Sequence, residues 1–344
     1  MHSRNINSLT LQELQELLAS WKTERFHARQ IFSWIYQKGI RDFTRMTNLP
    51  LDLRRKLNEG LYPGDLKLLK ALESIDGTKK ILFKLKDSNL IEGVVIPARG
   101  RITGCVSTQV GCKFCCSFCA SGILGFKRNL DTAEMLDEIW HLKNNAPLKK
   151  LTHIVFMGTG EPLDNYENVL KTIRFINSSL TYNIGARRIT ISTCGVLPGI
   201  QRLAKEGLQI ELSVSLHAAD EGVRNFLMPI NKIYPLRVLI PACRQYIKET
   251  NRQITFEYIL IKGVNSDLQN AKNLSRILKG LNCKVNLIPA NSIKELNIQP
   301  PKQQEVSLFQ GVLLKSGIKA TLRKPRGEDI EASCGQLRLR YEKK

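Results

Sequence analysis

No apolar run in this 344-residue sequence is long enough to cross a membrane, and no apolar stretch typical of a secretion signal follows the first five residues. The sequence contains no internal repeat and no low-complexity segment. Its nine cysteines are odd in number and otherwise scattered outside residues 105–119, unlike the framework of a small disulfide-rich secreted protein. These absences predict a cytoplasmic protein whose cysteines serve metal or redox chemistry.

Acidic residues are scarce relative to basic ones. The sequence has 31 Asp and Glu against 52 Lys and Arg, with a formal net charge of +21. Enzymes of small acidic metabolites rarely need such an excess, so the charge favours a polyanionic partner, most simply nucleic acid. A generally basic proteome would give the same excess.

The N-terminal part of the sequence predicts a helical module. Leucines at positions 9, 11, 14, 17 and 18 recur with helical spacing, and Pro50 and Pro63 break the pattern. Asp87-Ser-Asn89 lies between two apolar segments, which indicates a β-hairpin. We expect a helical domain over residues 1–65 whose basic side chains form either a solvated face or an RNA contact, a β-hairpin linker over 66–100, the main domain over 101–325 and a C-terminal segment over 326–344.

From about residue 102, apolar segments alternate with amphipathic ones, as in parallel βα units. The candidate strands cover residues 104–110, 151–157, 187–192, 209–215, 254–260 and 283–289. The candidate helices cover residues 131–145, 166–179, 198–206, 235–250, 267–279 and 301–316. Six such units predict an α/β fold, a partial (β/α)6 TIM-like barrel, in which chemistry lies at the carboxyl ends of the strands.

A cysteine-rich run follows the first candidate strand. Cys112, Cys116 and Cys119 have the spacing C-x3-C-x2-C. Clusters of the [4Fe–4S] type are usually held by four cysteines, so three thiolates would leave one iron open for another ligand. In radical S-adenosylmethionine (SAM) enzymes that ligand is SAM, and we predict such a site here.

A structural zinc site and a disulfide knot are the alternatives for this run. Zinc requires a fourth Cys or His at a typical spacing, and none of the five histidines lies within twenty residues of the run. Cys112, Cys115 and Cys119 also offer three thiolates. Spacing alone does not choose between the two registers.

Further polar groups stand where later strands end. Gly160 and Glu161 supply bare backbone and a carboxylate, which suit an ammonium group such as that of SAM. A lone histidine at a strand end, such as His217, is usually structural. The backbone at Ser215 and Leu216, together with Ser192, is better suited to line a ligand pocket.

Several longer stretches match one family in order. They are Cys105-Val-Ser-Thr-Gln-Val-Gly-Cys112 with the cysteine loop, and residues 125–130, 157–163, 187–193, 215–218, 228–231, 285–289 and 329–337. The sequence thereby resembles the radical-SAM methyltransferases that modify C2 of adenine in 23S rRNA and tRNA (the RlmN/Cfr family, C2 branch). The matches span residues 92–337, and the helical module fits the family's accessory domain.

The resemblance implies roles for individual residues. The cluster ligands would be Cys112, Cys116 and Cys119. The SAM contacts would be Gly160, Glu161, Ser192, Ser215, Leu216, His217 and Asn291. Cys334 would become methylated, Cys105 would be its partner thiol, and Glu92 would accept a proton. The sequence departs from the family's common residues at Thr159, Cys194 and 290–292.

The resemblance also implies partners and a mechanism. The cofactors would be a [4Fe–4S] cluster and SAM, and the substrates 23S rRNA before full ribosome assembly and tRNA. A reductant such as flavodoxin would supply electrons to a monomeric enzyme. Adenine C2 lacks the nucleophilicity for polar methyl transfer. The implied route therefore methylates Cys334, joins that carbon to C2 through radical chemistry, and releases the base by a Cys105–Cys334 disulfide.

Three other functions compete with this one. The sister branch that methylates adenine C8 shares the same cysteines, although Val106, Val110 and Pro162 resemble the C2 branch. A non-catalytic RNA-binding protein with a structural metal would explain the charge. A radical-SAM enzyme of small molecules would explain the cysteines but not the charge.

Overall fold

The computed structural model describes residues 3–123, 125–290, 298–323 and 326–330, together with Leu337 and Tyr341. The chain begins with a helical module. Its elements are β1 (Arg4–Asn5), α1 (Leu11–Ser20), α2 (His27–Phe32), α3 (Leu51–Gly60) and β2 (Leu61–Tyr62), with β1 and β2 paired in parallel. Thr10 fixes the start of α1, because its hydroxyl accepts from the Glu13 N–H while the Glu13 carboxylate accepts from the Thr10 N–H.

The helical module has an apolar core of its own. Leu14 and Leu18 of the predicted leucine stripe are fully buried, as is Tyr36 in the π-helical turn that continues α2 over Ser33–Gln37. Phe175 of the larger domain packs against this core, with its ring 4.8 Å from that of Tyr36. The predicted N-terminal helical region is therefore confirmed, and it is joined to the larger domain by aromatic packing.

Three antiparallel strands come next. They are β3 (Lys67–Glu73), β4 (Lys79–Lys84) and β5 (Leu90–Ala98). β4 and β5 form the expected hairpin, whose turn contains Ser88 with a left-handed φ of 68°. β5 also pairs with the first barrel strand, β6 (Arg101–Cys105), so the hairpin is continuous with the main sheet.

Seven strands of the sheet run parallel. They are β6, β9 (His153–Phe156), β10 (Ile189–Thr193), β11 (Glu211–Ser215), β12 (Ile254–Leu260), β13 (Cys283–Pro289) and β14 (Lys319–Leu322). In the described part of the chain the sheet has ten strands in the order β14-β13-β12-β11-β10-β9-β6-β5-β4-β3. Because β3 and β14 end this order, the barrel is partial, as predicted.

Helices connect the parallel strands. They are α4 (Ala120–Ile123), α5 (Thr132–Asn145), α6 (Tyr166–Asn177), α7 (Leu197–Ala204), α8 (Glu221–Leu227), α9 (Leu236–Thr250), α10 (Leu268–Leu278) and α11 (Gln303–Lys315). The six predicted helices match α5, α6, α7, α9, α10 and α11 to within two residues at each end. No helix among the described residues is both long and apolar enough to cross a membrane.

The first barrel strand differs most from its prediction. The apolar pattern predicted a strand over 104–110, but β6 ends at Cys105. The chain then turns, with the Thr108 N–H donating to the Thr159 carbonyl, and β7 (Gln109–Val110) pairs with β8 (Arg128–Asn129) in a separate ribbon. This break turns the cysteine loop over the carboxyl ends of the parallel strands.

Candidate active site

A cavity of about 310 Å³ lies at the carboxyl ends of the parallel strands. The cysteine loop covers it on one side, and the loops after β9, β10 and β11 form its walls. Eight of the predicted site residues line it: Cys112, Cys116, Cys119, Gly160, Glu161, Ser192, Ser215 and His217. The structure therefore brings together residues that are up to 105 positions apart in the sequence.

Cys115 stands apart from the other cysteines of the loop. It has a left-handed φ of 47°, it is exposed, and it does not line the cavity. Cys112, Cys116 and Cys119 are partly buried and do line it. This placement favours the register Cys112, Cys116 and Cys119.

The cysteine loop is held in place by backbone hydrogen bonds. The Ser117 N–H donates to the carbonyl of Leu227 at the end of α8, and the Cys119 N–H donates to the Cys116 carbonyl. Burial raises the pKa of the Cys112 thiol to about 12 and raises that of Cys116 further. Thiolates are therefore disfavoured in this cavity unless a positive partner is present.

The Gly160-Glu161 turn fixes a carboxylate at the cavity wall. Gly160 has a φ of +105°, and an added Cβ would lie 2.5 Å from that of Gln109, so only glycine fits. The Glu161 carboxylate accepts from the backbone N–H groups of Cys194 at 2.7 Å and Leu163 at 3.0 Å. Burial nevertheless raises its pKa, so the carboxylate gains from a cationic ligand group.

His217 is a neutral, fixed side chain. Its Nδ1 accepts from the Ile259 N–H at 3.0 Å, which leaves the proton of the neutral ring on Nε2. Burial, and then the charge of Arg224, lower its pKa to about 3. Its ring packs edge-on against Phe118 of the cysteine loop at 4.7 Å. The expectation of a structural histidine agrees with these contacts, although the ring also faces the cavity.

Arg224 is a buried cation that the sequence analysis missed. Its guanidinium donates to the carbonyls of Leu216 at 3.1 Å and Cys194 at 2.9 Å, and to Oδ1 of Asn231 at 2.7 Å. It thus ties the ends of β10 and β11 to the segment after α8. Leu216 does not line the cavity; it is fully buried and contributes only backbone here.

A second group of predicted residues lies beside the cavity, on one face of the sheet. Cys105 pairs with Val94, and Glu92 lies two residues from Val94 on the same face. Met157 lines the cavity and packs against Cys105 and Val94, so it connects the two regions.

Lys80 accompanies Glu92 on this face. The Lys80 ammonium is completely buried and lies 3.0 Å from the Glu92 carboxylate. The ion pair balances two charges that would each be costly to bury alone. The sequence pattern gave no signal for Lys80, because it is one of two adjacent lysines in a strand.

The C-terminal segment contacts the turn between β3 and β4 and the strands β4 and β5, and we call these contacts the tail clasp. The Asp329 carboxylate accepts from the Ser74 hydroxyl at 2.5 Å and the Ile75 N–H at 3.2 Å. A second hydrogen bond joins the same two segments, because the Asp76 carboxylate accepts from the Gly327 N–H at 3.3 Å. Leu337 packs in one cluster with Leu82 and Leu90 of β4 and β5.

Two predicted residues, Asn291 and Cys334, lie outside the described residues. Cys334 falls in the sequence between Asp329, which contacts the turn between β3 and β4, and Leu337, which packs on the face that carries Glu92. The eight cysteines within the described ranges form no disulfide with one another.

Known proteins share these features. A model of the radical SAM superfamily matches residues 106–274, and a model of the N-terminal domain of ribosomal RNA large subunit methyltransferases matches residues 4–62. A relative from Caldanaerobacter subterraneus, named dual-specificity RNA methyltransferase RlmN, is 46% identical over 98% of both chains. The chain belongs to the RlmN family of radical SAM methyltransferases.

Other members of the family are similar over the same length. A relative of the same name from Clostridium novyi is 43% identical over 98% of both chains. The crystal structure of a radical SAM methyltransferase from Sphaerobacter thermophilus superposes with a TM-score of 0.93 and 43% identity, covering 97% of this chain and 98% of that one. The predicted fold and the expectation of an enzyme are thereby confirmed.

The family implies an iron–sulfur cluster and SAM, and the cavity residues fit both. Three thiols face the same cavity as a buried carboxylate with a raised pKa. Across the described ranges, no three His, Cys, Asp or Glu side chains are arranged to hold a single metal ion. A cluster has a different requirement, because each thiolate binds a separate iron.

Cysteine replacement tests the register. Replacing Cys112, Cys116 or Cys119 by Ala should abolish iron binding, because each removes one ligand, whereas Cys115→Ala should retain it. Iron and sulfide content after anaerobic reconstitution measures this. Loss of the cluster in Cys115→Ala, with retention in Cys116→Ala, would contradict the assignment.

Arg224→Met should both destabilise the protein and weaken SAM binding. The change removes the Arg224 donors from the Cys194 carbonyl and the Asn231 amide oxygen and leaves the Leu216 carbonyl with the Ala218 N–H alone, which costs about 2–4 kcal/mol in the free energy of unfolding. Urea denaturation and equilibrium SAM binding measure the two effects. Arg244→Met, at an exposed position of α9, is the matched control. If Arg224→Met were as stable as Arg244→Met, the role of Arg224 in holding these segments together would be excluded.

Proposed function

We propose that this enzyme methylates C2 of an adenosine in 23S rRNA, and C2 of the adenosine 3′ of the anticodon in tRNA, through a methyl-cysteine on Cys334. The observation that carries the proposal is the position of Glu92 and Cys105. Both lie on a sheet face that adjoins the cysteine-lined cavity through Met157. The chain on both sides of Cys334 contacts the antiparallel part of the sheet, Asp329 at the turn between β3 and β4 and Leu337 at β4 and β5.

The three loop cysteines would hold the cluster, and Gly160, Glu161, Ser192, Ser215 and His217 would surround SAM. Asn291 would be a further contact by resemblance to the family. Glu161 would bind the ammonium group, since its buried carboxylate needs a positive partner. The cluster and SAM supply reductive cleavage and hydrogen-atom abstraction when bound, and the protein supplies placement.

Cys334 would take a methyl group from one SAM as a thiolate. After a hydrogen atom is removed from that methyl, its carbon would bond to adenine C2 and link the RNA to the protein. Glu92 would accept the C2 proton, and Lys80 would hold the carboxylate in position. The unpaired electron of the adduct would pass to the cluster when that group is bound. The Cys105 thiolate would then attack the sulfur of Cys334, so that a disulfide forms, the carbon–sulfur bond breaks, and the released carbon takes up a proton to become the methyl group.

The RNA must present an unstacked adenine to the cavity. The charge of +21 supports binding of the phosphate backbone. The relatives carry the name dual-specificity RNA methyltransferase RlmN, which favours the C2 branch over its C8 sister. Action on two kinds of RNA agrees with the dual specificity in that name. A small-molecule substrate would leave the charge excess unexplained.

Removal of Cys105 tests the mechanism. Cys105→Ala should still form the link to RNA but should not release it, so the protein purified from cells should carry covalently bound RNA. A nuclease-sensitive shift on a denaturing gel detects the adduct. Cys334→Ala should carry none, and Cys115→Ala is the control for loss of a nearby thiol. Normal turnover by Cys105→Ala, without adduct, would refute the roles of both cysteines.

Removal of the tail clasp should slow methyl transfer without affecting the cluster. Asp329→Ala eliminates the bonds to Ser74 and Ile75, and single-turnover methylation should fall several-fold. Ser74→Ala should cause a similar fall, and the double variant should be no slower than Asp329→Ala because both changes break one contact. Ser88→Ala, in the β4–β5 turn, should match the wild type. Additive effects would mean that the two side chains act separately.

A further inference from the structure

A second cavity, of about 560 Å³, lies at the opposite ends of β9 and β10 from the cysteines. Its walls come from the end of α5, the segment before β9, the loop after α6 and the segment before β10. Tyr36 and Gln37 of the helical module close one side. We call it the rear cavity.

The rear cavity is lined by cations, and no acidic residue of the described ranges lines it. The cations are Lys143, Lys149, Lys150 and Arg188. None of them forms an ion pair within the ranges that the structure describes. The Lys143 ammonium donates to the carbonyls of Tyr36 and Gln37 at 2.7 and 2.6 Å. The other three side chains are exposed, so the cavity keeps an uncompensated positive charge.

The pKa of a neighbouring histidine is lowered by burial and, in part, by this charge. His153 follows Thr152 of the cavity wall, and its Nδ1 lies 2.8 Å from the Thr152 hydroxyl. Burial lowers its pKa to about 4, and the charges of Arg101 and Arg188 contribute. The part of this lowering of the pKa that comes from Arg188 has the sign expected beside a positively charged cavity, which favours an anion.

The backbone before β9 adopts an unusual conformation at this cavity. Leu148 and Lys149 are adjacent non-glycine residues with left-handed φ angles of 54° and 47°. Each costs about 1–2 kcal/mol, so surrounding contacts must hold the turn. It is closed by the Lys149 N–H, which donates to the Ala146 carbonyl at 3.0 Å.

We propose that the rear cavity binds backbone phosphates of the substrate RNA, at a point remote from the adenine that is modified. The inference rests on the proposed function for the identity of the polyanion. β9 has four residues and separates the two cavities by about 13 Å of strand alone. Because the two cavities lie at opposite ends of the strands, we assign the rear cavity to a segment of tRNA or rRNA outside the stem-loop that carries the adenine.

Charge reversal tests this site. Two variants of the holoenzyme are compared. The rear-cavity variant combines Lys149→Glu, Lys150→Glu and Arg188→Glu. The control variant has the same change in charge on and beside α10, and it combines Lys272→Glu, Arg276→Glu and Lys279→Glu. All six side chains are exposed, so both variants should fold, which iron content and thermal unfolding verify. Binding of a full-length tRNA transcript and of its anticodon stem-loop is measured over a range of salt concentrations.

For full-length tRNA, the rear-cavity variant should bind at least tenfold more weakly than the control. Its slope of log affinity against log salt should fall by about 2–3, because each lost phosphate contact removes about 0.7–0.9. For the stem-loop, the two variants should bind equally. Replacing the two lysines by arginine should preserve tRNA binding.

Two results would overturn the proposal: equal affinities of both variants for full-length tRNA, or a rear-cavity defect of the same size for the stem-loop. The first would mean that general charge, rather than this site, holds the RNA. If the wild type bound neither RNA in a salt-dependent way, the proposed action on tRNA would fail, and the wild-type measurement alone would reveal this.

Discussion

The buried guanidinium of Arg224 is the contact on which the shape of the catalytic cavity depends. Parallel strands place their carboxyl ends at one edge of the sheet, but the loops that follow lie outside the regular pairing of the strands. Arg224 supplies fixed donors to the ends of β10 and β11 and to Asn231. Because one planar group makes these bonds, the segments cannot shift independently.

A buried ion pair plays a similar part on the antiparallel side of the sheet. Glu92 and Lys80 are both buried, and each makes the burial of the other tolerable. The carboxylate is thereby fixed on the face that carries Cys105. The three strands β3, β4 and β5 therefore link the two domains and also carry Glu92 on a wall beside the parallel strands.

The sequence predicted the parts of the structure that local patterns determine. The helices between strands were found because their apolar residues repeat with helical spacing, and the cavity residues because they follow buried strands. β3 was missed because its residues are mostly exposed and do not alternate. β6 was placed too late in the chain, because the apolar residues after Cys105 belong to a turn and the β7–β8 ribbon rather than to the sheet.

Residues whose importance arises only from tertiary contacts could not be predicted. Arg224 and Lys80 resemble surface cations in the sequence, yet both are completely buried. Asp329 matched a family stretch, but its partner Ser74 carries no local signal. The basic excess suggested nucleic acid, whereas the gathering of Lys149, Lys150 and Arg188 around one cavity required the fold.

The tail clasp joins positions that are 255 residues apart. A contact of such long range forms late, since the intervening chain must fold first. During synthesis from the N-terminus, β4, β5 and β6 leave the ribosome well before residues 326–337 exist. The sheet face with Cys105 is therefore made without its tail contacts, and the two cysteines proposed to react can first meet only when translation is nearly complete.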